Sequence, residues 1–295
     1  GIEMVKMSFG EKCFKVFNVI FMILLSLAML YPLMYVIFAS LSDSNALRLY
    51  DGMLLHPIGF TTTAYTKVFQ NPMIYKGFLN TIYVLFFGTL TNTILTVVTG
   101  YVLSRRDFSA AKYMNIFVIV TMYFSGGLIP TFLTVKALGL FNNRWVLIIP
   151  SALSTYNLII MRAAFLSVPK SLEEAAFIDG ANHMTVLFKI LVPVVKATIA
   201  VIVLYSAVGH WNSWFNAMIY IQDANKFPLQ LVLRSILIQN DTSQMTQAVG
   251  DTSRANISET IKYATIVVAT IPILAIYPFL QKYFVKGTML GAVKE

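Results

Sequence analysis

The chain has 295 residues, 57% of them hydrophobic and 12% charged, with a formal net charge of +9. Soluble domains carry about 25% charged residues, and a chain of this size cannot hide so much apolar surface in one core without large exposed patches. An ordinary globular enzyme, a disordered chain and a secreted disulfide scaffold are therefore excluded, and a polytopic membrane protein remains. Cys13 stands alone, so neither an intrachain disulfide nor a Cys-based metal cluster can form. The positive charge has a membrane explanation, because Lys and Arg accumulate in cytoplasmic loops.

A bilayer core takes about 20 apolar residues per helical crossing. In chain order, six stretches are predicted as spans: 16–39, 80–103, 113–135, 145–165, 198–220 and 263–284. The first is expected to be a retained helix rather than a cleaved signal, since a full-length span runs into Ala39-Ser40-Leu41-Ser42. The second carries Thr89, Thr93, Thr96 and Gly100 on one helical face, a pattern that predicts close helix packing. The segments Leu41–Phe78 and Gln222–Ile261, with Pro57, Pro72 and Pro228, read as ordered outer loops or short interfacial helices. Nothing is long enough for a separate soluble domain. Lys6, Lys12 and Lys15, then Arg105, Arg106 and Lys112, then Arg162, Lys170, Lys189 and Lys196, then Lys282, Lys286 and Lys294 fall on one side of a six-span chain. That bias predicts cytoplasmic termini.

Several chemistries find no residues to carry them. There is no phosphate-binding loop, no His-Glu-x2-His, no Gly-x-Ser-x-Gly, and His56, His183 and His210 are scattered. The expected spans hold almost no Asp, Glu, Lys or Arg, where a membrane enzyme or proton relay would bury paired ionisable groups. A chain of this kind is not expected to be an enzyme, and any work it does draws energy from elsewhere.

The segment 168–196 reads VPKSLEEAAFIDGANHMTVLFKILVPVVK. Ser171 and Glu174 have the spacing of a capping box. Ala175 and Ala176 are strong helix formers, and Gly180 can take a left-handed turn. Met184, Leu187, Phe188 and Leu191 recur at helical spacing, and Pro193 marks entry to the next span. Two short helices broken at a glycine are predicted, lying on the cytoplasmic face with one apolar stripe. Such a lever fits a groove on a partner protein, with a carboxylate as its charged anchor.

Glu174-Ala175-Ala176, Gly180 after three residues, and Ile190 and Pro193 beyond it resemble the EAA loop of binding-protein-dependent ABC importer permeases. Asp179 and Ala181 extend the likeness to the sugar-importing branch, while Val192 stands where the family favours leucine. Tyr101–Phe108, Ile129-Pro130 and Leu138–Asn142 resemble other family segments; Gly209–Asn216 and the tail Phe284–Lys294 resemble a complex-oligosaccharide subgroup. The resemblance implies an all-α membrane protein with six transmembrane helices and the MetI-like ABC permease fold. Residues 1–295 would then form one permease domain, with 168–196 as a cytoplasmic coupling loop. It implies half of a carbohydrate importer's pathway in a bacterial cytoplasmic membrane, passing an oligosaccharide or polysaccharide fragment. The implied partners are a second, homologous permease, usually a different chain in the sugar branch though a homodimeric pore is the alternative, two ABC ATPase subunits and an extracytoplasmic solute-binding protein, with no nucleic acid. No cofactor is expected in this chain, ATP and Mg acting in the ATPases. By the same likeness, Glu174, Ala175, Ala176, Asp179, Gly180, Ala181, Ile190 and Pro193 would couple to the ATPases. An ion-coupled secondary transporter, which needs a coupling-ion site near midplane, and a permease for a non-sugar solute stand as the alternatives.

The fifth span adds Trp211, Asn212, Trp214, Asn216 and Tyr220, beside His210 and Ser213. Polar side chains in a span face the bundle or an aqueous cavity. Amides exchange hydrogen bonds with sugar hydroxyls while aromatic faces stack on sugar rings. These five are candidates for a sugar path; the competing reading is an interfacial aromatic belt with hydrogen bonds between helices.

Overall fold

The computed structural model describes residues 9–105, 107–238 and 259–275. Arg106, Lys6, the tail motif 284–294 and the end of the sixth expected span lie outside them. The chain divides into two compact units, residues 1–71 with 240–270, and residues 72–239 with 271–295.

The first unit opens with α1, Phe9–Ser40, a 32-residue helix. At 1.5 Å per residue it is about 48 Å long, more than the ~30 Å of a hydrocarbon core. Its Phe14, Leu24 and Leu33 are exposed, as suits a helix solvated by lipid. Hydroxyls close its end: Ser42 Oγ donates to Phe38 O at 2.7 Å and accepts from the Ile58 N–H at 2.9 Å. Asp43 then caps α2 (Ser44–Arg48) by accepting from the Asn45 and Ala46 amides. After α3 (Thr63–Gln70), the unit is completed by helical residues 259–270. Tyr263 there stands edge-on to Tyr35, with centroids 5.8 Å apart.

The second unit is built on α4, Pro72–Ser104. Pro72 suits the first helical position, where its missing N–H costs nothing. Gly77, Thr81, Val84, Gly88, Asn92, Thr96 and Gly100 recur every three or four residues, and all are buried. A β-carbon on Gly100 would stand 2.9 Å from Met161 Cγ, and one on Gly77 3.1 Å from Val232 Cγ2. The stripe thus admits α7 (Thr155–Leu166) and α12 (Leu229–Ile238), with the His210 ring of α10 (Lys196–Trp211) against Gly88 between them. Thr81 Oγ1 accepts the Leu229 amide at 2.8 Å, and Asn80 Nδ2 donates to the Asn225 and Phe227 carbonyls. Of the expected Thr/Gly face, Thr96 and Gly100 lie on this buried packing stripe, while Thr89 and Thr93 are half-buried beside it.

The helices do not begin and end where the expected spans do. The first two helices are longer than 16–39 and 80–103. The stretch 113–135 is two helices, α5 (Ala111–Tyr123) and α6 (Leu128–Ala137), bent by 117°. Ser125-Gly126-Gly127 intervenes, with Gly127 at φ 85, and Pro130 follows within α6. The stretch 145–165 begins as a 3-10 turn, Arg144–Leu147, and becomes α-helical only at Thr155. The stretch 198–220 stops at Trp211 and resumes as α11, Phe215–Tyr220. The stretch 263–284 starts earlier, at 259, and is described to 275. Among the described residues two helices, α1 and α4, are each long and apolar enough to cross a membrane. Two bent pairs reach that length together: α5 with α6, and His183–Val194 with α10, the latter at 84°.

Candidate functional site

Two places in the second unit gather the polar residues. The first is a cavity of about 570 Å³ between α4, α7, α10 and α11. Its lining includes Asn92, Tyr156, Asn157, Tyr205, His210, Asn212, Trp214 and Asn216, and among the described residues no Asp, Glu, Lys or Arg. Asn92 Nδ2 donates to the carbonyls of Ser151 and Ala152, both at 3.2 Å, which fixes the irregular segment before α7 to α4. Asn157 reaches the Asn92 side-chain oxygen at 3.5 Å. The Tyr156 and Tyr205 rings lie 6.2 Å apart, and the Arg234 guanidinium stacks 5.0 Å over the Trp214 ring. A lining of amides, hydroxyls and rings, with the Arg234 cation behind Trp214, suits a polyhydroxylated solute.

The structure brings Asn212, Trp214 and Asn216 to this cavity because the helix breaks between Trp211 and Phe215. It does not bring Trp211 or Tyr220. Trp211 is buried, edge-on to Phe78 at 6.1 Å. Tyr220 is buried with its ring stacked on Phe132 at 5.9 Å, and its carbonyl accepts the Asn142 amide at 2.8 Å. Both serve packing rather than line the space.

The second place is the two-helix segment. Helix α8 runs Lys170–Ile178 from Pro169, which sits at the N-cap without a side-chain hydrogen bond. The expected Ser171–Glu174 capping box is therefore absent: proline, with its fixed φ, starts the helix two residues early and carries Ser171 inside it. The other end obeys the Gly180 expectation. Gly180 takes φ 81; its N–H donates to Phe177 O, and the Ala181 N–H donates to Ala176 O at 2.9 Å. This pair of bonds is a Schellman cap, in which an apolar residue past the glycine packs back on the helix. Ala176 is buried and Ala181 packs against the same cluster. The spacing of Ala176, Gly180 and Ala181 therefore has a purely structural reason.

Asn182 then caps α9 (His183–Val194), accepting the Thr185 amide at 2.8 Å. Within α9, Val186–Leu191 form a π-turn, with the Val192 N–H reaching back five residues to Leu187 O. The wider turn splits the expected stripe. Leu187 and Leu191 are buried with Val186, whereas Met184 and Phe188 are exposed. Ile190 packs partly buried against the core. Pro193 is exposed in the last turn before α10.

The charged residues of α8 divide by face. Glu174 and Ala175 are exposed, as are Ile178 at 85% and Asp179. Glu173, about 100° away on the helix, is buried. Both oxygens of its carboxylate engage Arg105: Nη2 to Oε1 at 2.8 Å, and Nη1 to Oε2. Hydrogen bonding to Glu173, opposed by burial, holds the Arg105 guanidinium above its ordinary value. Arg105 also covers the Tyr101 ring at 4.4 Å, and the Tyr101 hydroxyl meets His183 Nδ1 at 3.0 Å. Phe177 stands edge-on to the His183 ring at 5.0 Å. Glu173, Arg105, Tyr101 and His183 were missed as a constellation in the sequence; the one signal for Glu173 is that it shares a helical face with Ala176.

Apolar helices around a polar cavity, with a separate two-helix segment turned outward, define a membrane transport subunit. No protein-family model matches the chain. It is 40% identical over 274 residues to the polygalacturonan/rhamnogalacturonan transport system permease protein YtcP of Bacillus subtilis (strain 168), covering 93% of this chain and 96% of that one. Over 285 residues it is 39% identical to protein LplC of the same organism, covering 96% and 95%. A chain in the crystal structure of a bacterial ABC transporter involved in the import of the acidic polysaccharide alginate superposes with a TM-score of 0.88 at 31% identity, covering 95% of this chain and all of that one. The chain belongs to the permease subunits of carbohydrate-importing ABC transporters.

Proposed function

We propose that this permease passes an oligosaccharide released from an acidic polysaccharide, its cavity meeting the solute mainly through hydroxyls and ring faces. The observation that carries this is the cavity lined by Asn92, Asn157, Asn212, Trp214 and Asn216, with no charged side chain lining it among the described residues. The names of the polygalacturonan/rhamnogalacturonan permease and of the alginate importer support the acidic class. The test is uptake by the complete importer in liposomes, with unlabelled galacturonan oligomers competing against neutral oligomers of the same length. Competition by the galacturonan oligomers is expected; competition by the neutral oligomers alone, or by neither class, overturns the reading.

In the same reading residues 1–295 are one permease domain of six spans, with α5 and α6 sharing the third. It is half of a heterodimeric pathway in the bacterial cytoplasmic membrane, and both termini are cytoplasmic. Two ABC ATPase subunits, which hold the ATP and Mg, grip the loop 168–196 on the same side. Glu174, Ala175 and Asp179 present the docking face; Ala176, Gly180, Ala181, Ile190 and Pro193 give the lever its shape. An extracytoplasmic binding protein delivers the sugar. What supports this arrangement is the exposure of Ile178 and Glu174 on a helix whose opposite face is fixed to α4.

A further inference from the structure

We propose that the Arg105–Glu173 ion pair is the positioning link through which displacement of α8 reaches α4, and through α4 the cavity. The proposal rests on the reading that ATPase subunits move α8. The named contacts between the α8 segment and α4 fall at the C-terminal end of α4, at positions 97 and 101, and at residue 105 directly after it. Val97 and Tyr101 belong to the apolar cluster that buries Ala176. Tyr101 meets His183 beyond the Gly180 turn, and Arg105 holds Glu173 through both carboxylate oxygens. The side chains of the pair are 17% and 10% exposed.

Apolar contact resists compression but gives little directional hold, whereas a bidentate guanidinium–carboxylate fork fixes both distance and angle. A buried ion pair also adds little net stability over well-packed apolar residues, so stability is a weak reason for its presence. Register is a better one. Arg105 follows directly on the end of α4 at Ser104, and Asn92, twelve residues back along that unbroken helix, lies about 18 Å from its end and pins the cavity wall through Ser151 and Ala152. A shift of α8 held rigidly to Arg105 therefore moves the cavity lining with it. Glu173 and Glu174 divide the work: one holds the shaft and the other faces the engine.

The test uses the complete transporter in liposomes and reads sugar taken up per ATP hydrolysed. The Arg105→Met/Glu173→Leu pair, which removes both charges together, is expected to lower that ratio about tenfold while the ATPases still co-purify. The swap Arg105→Glu/Glu173→Arg is expected to recover most of it. Parental coupling in the Met/Leu transporter overturns the proposal, and so does a swap that stays as uncoupled as Met/Leu. Should the Met/Leu pair fail to assemble, Arg105→Lys carries the test, keeping the charge and losing the fork; parental coupling there is equally fatal. A parental transporter in which a crosslinker at Ile178 never captures an ATPase subunit defeats the docking reading instead, so the two failures are distinct.

Discussion

His210 lies against Gly88 so closely that a β-carbon on the glycine would clash with the imidazole ring, 2.8 Å from Cδ2 and closer still to Nε2 and Cε1. The contact joins α10 to α4 beside the cavity, and a side chain at position 88 must push the two helices apart. Gly88→Ala is expected to cost about 1–3 kcal/mol through overpacking, seen as a lower Tm of the purified transporter and less permease in the membrane. Gly209→Ala, one residue from His210, is the internal control: nothing lies within 4 Å of its would-be β-carbon. It should leave Tm unchanged.

Gly180 tests conformation alone. Its φ is 81 and no atom stands within 4 Å of a β-carbon there, so substitution meets strain without a clash. Gly180→Ala should cost about 1 kcal/mol and Gly180→Asn less, because Asn tolerates the left-handed region better. Hydrogen exchange of the Ala181 amide, which closes the cap on Ala176, should quicken in the same order.

Glu174 makes no capping bond, since Pro169 holds the N-cap position. Glu174→Gln should therefore leave Tm of the permease unchanged within about 0.5 kcal/mol, as for an ordinary surface substitution. Stimulation of the ATPase by the loaded binding protein should fall about tenfold. Unchanged stimulation would show that the outward carboxylate is not an anchor.

Asn212 and Asn216 reach the cavity while Trp211 and Tyr220 do not. Asn212→Ala/Asn216→Ala should reduce sugar uptake about tenfold, roughly two lost hydrogen bonds, with assembly intact. Trp211→Ala should instead lower Tm by truncating a buried aromatic. Normal uptake in the double Asn variant favours an aromatic belt over a sugar path.

Much of this was legible in the sequence because its causes are local. The Thr/Gly periodicity of α4 announced a close-packed face, and Gly180 announced a left-handed break. The failures have equally physical causes. Ser171–Glu174 matched a capping box, yet a proline two residues before Ser171 fixes where the helix starts. The stripe through Met184 and Phe188 assumed 3.6 residues per turn, and the π-turn at Val186–Leu191 does not keep that period. Glu173 found no notice because its partner is 68 residues away, and no local pattern reports such a pairing. The 117° bend inside 113–135 is not announced, because its Ser-Gly-Gly interruption is short against an apolar run on both sides.

The central claim is that the outward face of α8 is where an ATPase subunit takes hold. A photo-crosslinking amino acid in place of Ile178, 85% exposed on that face, tests it most directly in the assembled transporter. The expected result is an adduct with an ATPase subunit whose yield changes when ATP is added. Adducts confined to lipid, or to the binding protein outside the cell, in a transporter that still imports sugar would contradict it.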